Sequence, residues 1–221
     1  MMKAVISSII QETPKIKIFR LWHGKNDYVF KPGQWIDLKA QVEGKNIGGY
    51  TIISSAHTLE YIDLAVRESL HHPVTQFLHS AKVGAEVEIT EGQGKFFLTD
   101  EMAKSPSLTF IAGGIGLTPI LSMIRSLDKS KTNVKLFYSV SNAEDILFKE
   151  ELAPFSVFTV TKDIHWKGER ERVSASLLKK YKADFNSHFF ICGPRAMIDS
   201  LSQELREAGV PKDKIHFEKW W

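Results

Sequence analysis

Cysteine is almost missing from this sequence: Cys192 is the only one in 221 residues. No disulfide can close within the chain. An iron–sulfur cluster takes about four ligands, mostly thiolates, so none can be held. Metal-ligand spacing is missing as well. The eight histidines are scattered, His71-His72 is the one tight pair, and no HExxH-type pattern occurs, so no metal is assigned. Charge of one sign is not in excess: 29 Lys and Arg stand against 26 Asp and Glu, a net charge of +3, which argues against a nucleic-acid partner. No apolar run approaches the roughly 20 residues of a membrane span. The opening stretch MMKAVISSIIQETPK is broken by Ser7 and Ser8 and lacks a signal-peptide core and cleavage site. The expectation is a cytoplasmic protein with no membrane span.

What is present falls into two halves with different patterning. Up to about Leu98, short alternating segments sit between turns: KIKIFRLW, FKPGQWIDLKA, YTIISSA, YIDLAVRES and AEVEIT. Pro32-Gly33, Gly48-Gly49 and Gly92-Gln93-Gly94 supply the turns. Short strands at such spacing predict a small closed antiparallel barrel. HPVTQFLHSA differs, with Val74, Phe77, Leu78 and Ala81 at helical spacing, and reads as one short helix opening near His72-Pro73. Beyond TDEMAKSPS, apolar strands alternate with helices. LTFIA, VKLFYSV, SVFTVT, HFFIC and KIHFEKWW read as strands. TPILSMIRSLDK reads as a helix with Thr118 as N-cap and Pro119 at its first position. EDILFKEELAPF reads as helical up to Pro154, SASLLKKY as a helix, and PRAMIDSLSQELREAGVP as a helix stopped by Gly209. Strand–helix alternation predicts a parallel sheet wrapped by helices. Two domains are expected, residues 1–102 and 103–221.

FIAGGIGLTPI carries the strongest local chemistry. A buried strand runs into Gly113-Gly114-Ile115-Gly116, and a helix follows. Glycines allow a pyrophosphate close to the backbone, and a helix N-terminus offers N–H groups and a positive dipole end. The spacing is not the GxGxxG of a dinucleotide fold, because Pro119 stands at the third glycine position. A tight structural turn is the alternative.

Several motifs occur together and in order. GGIGLTP resembles the GGxGxTP nucleotide loop of the ferredoxin–NADP reductase superfamily. ICGPRAM resembles its CGPxxM motif. GYTIIS stands where that family has its flavin motif, RxYS or RxYT, and FEKWW resembles its closing Glu-x-aromatic. The resemblance covers nearly the whole chain and is greatest to small single-chain NAD-binding-domain oxidoreductases. It implies a six-stranded antiparallel flavin-binding barrel followed by a five-stranded parallel α/β nucleotide-binding domain.

The same resemblance implies roles for individual residues. Tyr50 packs on the flavin, and the Thr51 hydroxyl lies near the reacting flavin edge, with Ile52 and Ile53 continuing that strand past the cofactor. The family arginine falls at Gly48, with Arg67 or Lys45 as substitutes. Val74 and Thr75 open the helix that faces a flavin phosphate, although Thr75 also reads as a plain helix cap. Gly113, Gly114, Gly116, Thr118 and Pro119 form the nucleotide loop. Cys192, Gly193, Pro194 and Met197 form the second nicotinamide segment, in which Cys192 also reads as a small buried hydrophobe. Thr51, Cys192 and Glu218 are the expected catalytic set. Trp220 stacks on the flavin and Trp221 stacks on adenine or completes the platform, unless the pair only closes the core.

The implied cofactors are FAD, with FMN as the alternative, and NADH or NADPH. Glu144 and Asp145 would repel a 2′-phosphate and favour NADH, whereas Lys162, Arg170 and Arg172 would attract one, unless KGERER is only a solvated loop. The implied activity is hydride transfer from nicotinamide to flavin, with electrons passed to a separate acceptor, protein or small molecule. The alternative is a flavin-free nucleotide-binding regulatory module or subunit, suggested by Gly48.

Overall fold

The computed structural model describes residues 1–24, 28–44 and 46–219. The chain forms two compact units. The first comprises Met1–Leu98 with Leu121–Ser126, the second Thr99–Ile120 with Leu127–Trp221.

Six strands build the first unit: β1 (Met2–Thr13), β2 (Ile16–Trp22), β3 (Trp35–Lys39), β4 (Ile47–Thr51), β5 (Tyr61–Arg67) and β6 (Glu86–Ile89). They pair antiparallel in the order β4-β3-β6-β1-β2-β5. An isolated bridge, Ile52 to Leu64, links the two ends of that order and makes the sheet a barrel. Alternation sorts the faces. Phe19, Leu21, Ile36, Leu38, Ile62, Leu64, Val87 and Ile89 point inward and form the core. The longest strand, β1, is the one no alternating segment announced. Its register shifts between Ile6 and Ser8 and again between Gln11 and Thr13, and these bulges interrupt the period of two. Helix α1 (Pro73–Ser80) opens after His72 with Pro73 in its first turn, as expected, and buries Val74 and Leu78.

The second unit is a parallel sheet of β7 (Ser107–Gly113), β8 (Asn133–Val140), β9 (Ser156–Val160), β10 (His188–Cys192) and β11 (Ile215–Glu218). Its order is β11-β10-β7-β8-β9, so the winding reverses between β7 and β10. Both faces are covered, and β7 and β10 accordingly read as continuous apolar runs: Phe110, Ile111, Phe189, Phe190 and Ile191 are fully buried. The helices are α2 (Asp100–Ala103), α3 (Leu117–Ser126), α4 (Lys149–Leu152), α5 (Ala175–Lys180) and α6 (Arg195–Glu207). Ser174 caps α5 by accepting from the Leu177 N–H, and α6 buries Ile198, Leu201 and Leu205.

Two helical expectations need correction. Thr118 is not an N-cap. The chain leaves β7 through a 3-10 turn, Gly114–Gly116, and α3 already begins at Leu117. The Thr118 hydroxyl donates instead to the Ile115 carbonyl, 2.9 Å away, and Pro119 sits within the first turn, where a missing N–H costs nothing. EDILFKEELAPF is not one helix either. A 3-10 turn at Ala143–Asp145 and the short α4 are separated by Phe148, whose φ of 49° is left-handed and ends any continuous helical ladder.

Candidate functional site

Ligands of open parallel sheets bind beyond the carboxyl ends of the strands, where the winding reverses. In the second unit that place lies between the ends of β7 and β10, and glycines bring their loops together. A Cβ on Gly193 would lie 2.9 Å from the Gly113 nitrogen and Cα. A Cβ on Gly113 would meet Pro194 Cδ at 2.7 Å and Met197 Cε at 3.1 Å, and one on Gly116 would meet the Cys192 carbonyl oxygen at 2.5 Å. These glycines let the two strand ends and the start of α3 pack backbone against backbone. Gly114 is different. Its φ is +55°, and nothing lies within 4 Å of where its Cβ would be. A left-handed glycine facing open space, just before a helix N-terminus, is a cradle that fits a pyrophosphate. The residues present therefore suit a nicotinamide dinucleotide.

Cys192 ends β10 beside Glu218, its register partner on β11. The thiol is 1% exposed. Burial, aided by the Glu218 carboxylate, pushes it up to about 12, so it stays neutral at physiological pH. Lys219, next in the chain, donates to Asp199 on α6 at 2.5 Å. Trp220 and Trp221 lie outside the described residues, as does Lys45. Asp145 follows β8, the neighbour of β7. Its carboxylate accepts from the Asn142 N–H and side-chain amide, both at 3.2 Å, which fixes an acidic group just past the strand end. Thr118 and Pro119 are buried within α3, so from this stretch the loop backbone, and not the Thr118 side chain, faces outward.

In the barrel unit, Tyr50 and Gly48 share the inward face of β4 opposite Ile36 and Leu38, while Thr51 points the other way, opposite Trp35. The Tyr50 ring folds back over Gly48: a Cβ there would lie 2.8 Å from the ring edge and 2.9 Å from the hydroxyl. The Tyr50 hydroxyl then meets Thr75 Oγ1 at 2.9 Å. Burial raises the Tyr50 pKa, and the Thr75 hydrogen bond acts in the opposite direction. Two hydroxyls thus sit at the mouth of α1. The Gln76 N–H is already taken by the His72 carbonyl, which leaves the Val74 and Thr75 amides as the first-turn donors. This donor set fits a phosphate oxygen of a flavin cofactor. Ile52 and Ile53 are fully buried, and their N–H groups donate to the Gln34 and Asp63 carbonyls. Arg67 ends β5, exposed.

The unit also contains a tether that sequence reasoning missed. Arg125 Nη1 donates to the Ile53 carbonyl at 3.0 Å and Ser122 Oγ to the Ser54 carbonyl at 2.9 Å. The Ala56 N–H donates to Ser126 Oγ at 2.9 Å, and the His57 ring lies 3.3 Å from the Ser126 carbonyl. In the sequence its only trace is polar residues spaced i, i+3, i+4 on a helix.

An antiparallel barrel with a phosphate-type donor set, followed by a parallel sheet with a glycine cradle at its reversal, defines a two-domain flavin and nicotinamide oxidoreductase. Family models agree: an oxidoreductase FAD-binding domain matches residues 3–98, and an oxidoreductase NAD-binding domain matches residues 110–203. The chain belongs to the family of FAD- and NAD-binding oxidoreductases, flavoprotein reductases that use FAD and a nicotinamide nucleotide. It is 32% identical over 251 residues to oxidoreductase NAD-binding domain-containing protein 1 of Homo sapiens, covering 99% of this chain and 79% of that protein. It is 31% identical over 231 residues to NADH-cytochrome b5 reductase 1 of Scheffersomyces stipitis, covering 92% and 81%. In fold it matches the FAD/NAD-binding domain of nitric oxide dioxygenase from Vibrio cholerae, with a TM-score of 0.88, 21% identity and coverage of 99% and 98%. Among the described residues no helix is long and apolar enough to cross a membrane.

Proposed function

We propose that this flavoprotein reductase uses NADH and passes electrons to a separate acceptor, with residues 1–102 as the flavin-binding part and 103–221 as the nucleotide-binding part. The carrying observation is the open space over Gly114 at the start of α3, where the backbone invites a pyrophosphate. NADH is favoured because the first acidic groups beyond β8 are Glu144 and Asp145, which repel a 2′-phosphate and suit a ribose hydroxyl. Bound flavin would supply a hydride acceptor that releases electrons onward. In this reading Tyr50, Thr75 and the Val74 amide hold the flavin phosphate, and the Thr51 hydroxyl lies at the flavin edge. Cys192 contributes shape and not charge, because its thiol stays protonated. Glu218 beside it supplies the fixed negative charge.

One observation supports a second reading, a flavin-free nucleotide-binding module. The Tyr50 ring fills the space above Gly48, so no cation stands at that position of β4. An absorbance spectrum of the purified chain, recorded with NADH and with NADPH, decides between the two. Flavin bands that bleach faster with NADH are expected. A colourless chain that takes up no added FAD or FMN refutes the reductase reading, and equal or faster bleaching with NADPH refutes the nucleotide preference.

A further inference from the structure

We propose that Arg125, assisted by Ser122 and Ser126, is a positioning residue of the flavin site, although all three lie inside the stretch matched by the NAD-binding model. The division between the two units runs through α3. Leu117–Ile120 belong with the second unit and Leu121–Ser126 with the barrel. The inference rests on the reading that the flavin lies along β4.

The regular pairing of β4 with β3 ends at Thr51. Beyond it the backbone turns inward, and Ile53 and Ser54 are 0% and 4% exposed. Buried carbonyls need donors. The Ile53 and Ser54 carbonyls find them on α3, in the Arg125 guanidinium and the Ser122 hydroxyl. Ser126 closes the set by accepting from the Ala56 N–H and donating to the Ser122 carbonyl at 2.8 Å. Residues 122, 125 and 126 are neighbours on one helical face, so a single turn grips three residues of one barrel segment, Ile53, Ser54 and Ala56. Met123 seats the same turn from another side: it is fully buried, and a Cβ on Gly33 would lie 2.5 Å from its Cε. The strand end that carries Tyr50 and Thr51 is therefore held from behind by α3. The guanidinium is the strongest of these donors because it is charged. Its loss lets residues 53–56 shift, and the error passes along the backbone to Thr51.

The test uses the full chain. FAD affinity of the apo form is measured by quenching of FAD fluorescence, apo stability by thermal unfolding, and NADH affinity by calorimetry. Arg125→Met should weaken FAD by about tenfold or more while NADH affinity changes little. Arg125→Lys, which keeps one charged donor, should recover most of the loss. Ser122→Ala, a smaller change, should weaken FAD in the same direction and serves if Arg125→Met does not fold. A lower apo melting temperature with unchanged FAD affinity would mean that the tether only stabilises the fold, and would overturn the proposal. If the unmodified chain itself takes up no FAD, the flavin reading fails and this inference with it. If only the variants behave like the unmodified chain, the inference alone fails.

Discussion

Gly114 and Gly116 stand two residues apart, and alanine at each should do harm for opposite reasons. A Cβ at Gly116 would lie 2.5 Å from the Cys192 carbonyl oxygen and 2.7 Å from the Gly193 nitrogen. Ordinary contact begins near 3.4 Å, so the start of α3 and the end of β10 would have to part by 0.9 Å, the difference between 3.4 and 2.5. Both sides are backbone, and neither can swing away as a side chain would. Overpacking of this kind costs about 1–3 kcal/mol, and in a chain of this size each kcal/mol moves the melting temperature by about 2–4 °C. Gly116→Ala should therefore melt about 6–12 °C lower in the apo form, at the upper end of that range. Gly114→Ala meets no atom within 4 Å, and only the left-handed φ of +55° opposes it. That strain is about 1 kcal/mol, or about 2–4 °C. Its main effect should fall on the ligand, because the new methyl occupies the space into which a pyrophosphate would settle. NADH affinity should drop by about tenfold or more, equivalent to about 1.4 kcal/mol. Calorimetric titration with NADH beside apo thermal unfolding separates the two effects. A folded Gly114→Ala chain that binds NADH as tightly as the parent would show that this loop does not hold the nucleotide. An unshifted melting temperature for Gly116→Ala would refute the close-approach argument.

Cys192 should resist iodoacetamide at pH 8 in the folded chain and react once unfolded. The unfolded thiol ionises near 9 and the folded one at about 12, so its contribution to stability is full below pH 9 and fades as the pH rises toward 12; rapid labelling of the native protein contradicts this. The His216 ring, half-buried beside His188, is held down to about 4. The unfolded chain therefore takes up that proton first on acidification: stability is full above about pH 6.5 and falls as the pH drops toward 4. His216→Gln should flatten that part of the melting-temperature profile, and an unchanged slope counts against the assignment. Cys192→Ala and Glu218→Ala should slow flavin reduction more than they weaken NADH binding, and stopped-flow rates equal to the parent in both would remove them from the reacting site. Truncation after Lys219 should raise flavin fluorescence while leaving the apo fold standing. A loss of about 3–5 kcal/mol of apo stability with no change in fluorescence would mean that the tryptophan pair is core packing.

How far the sequence could be read depended on whether structure wrote itself into a period. The alternation in KIKIFRLW and YIDLAVRES became β2 and β5, because one face of each lies in the core. Met2–Thr13 hid its strand because two bulges break the alternation. Ile146, Leu147 and Leu152 mimic a helical stripe, and all three are buried, yet Phe148 interrupts the helix with a backbone angle that no pattern of residue types announces. The glycine loop and the Cys192 segment were legible as motifs. What they do to each other, backbone touching backbone at Gly113 and Gly193, appears only in three dimensions. The grip of Arg125 on the Ile53 carbonyl was illegible for a simpler reason: the acceptor is main chain, and every residue has one.

The barrel is not zipped shut along its whole length. β4 and β5 meet through the isolated bridge between Ile52 and Leu64 and the Ile53 N–H to Asp63 bond, whereas β2 and β5 pair over seven positions. A strand with an open side is a template on which a second chain can add. β4 limits that hazard by being short, five residues, and by placing two glycines, poor strand formers, in its middle. Greater strand propensity there would carry a penalty: valine at Gly48 would push the Tyr50 ring from its place and lengthen an adhesive rim. The same two glycines that leave the seam loose also keep neighbouring molecules from stitching themselves into it.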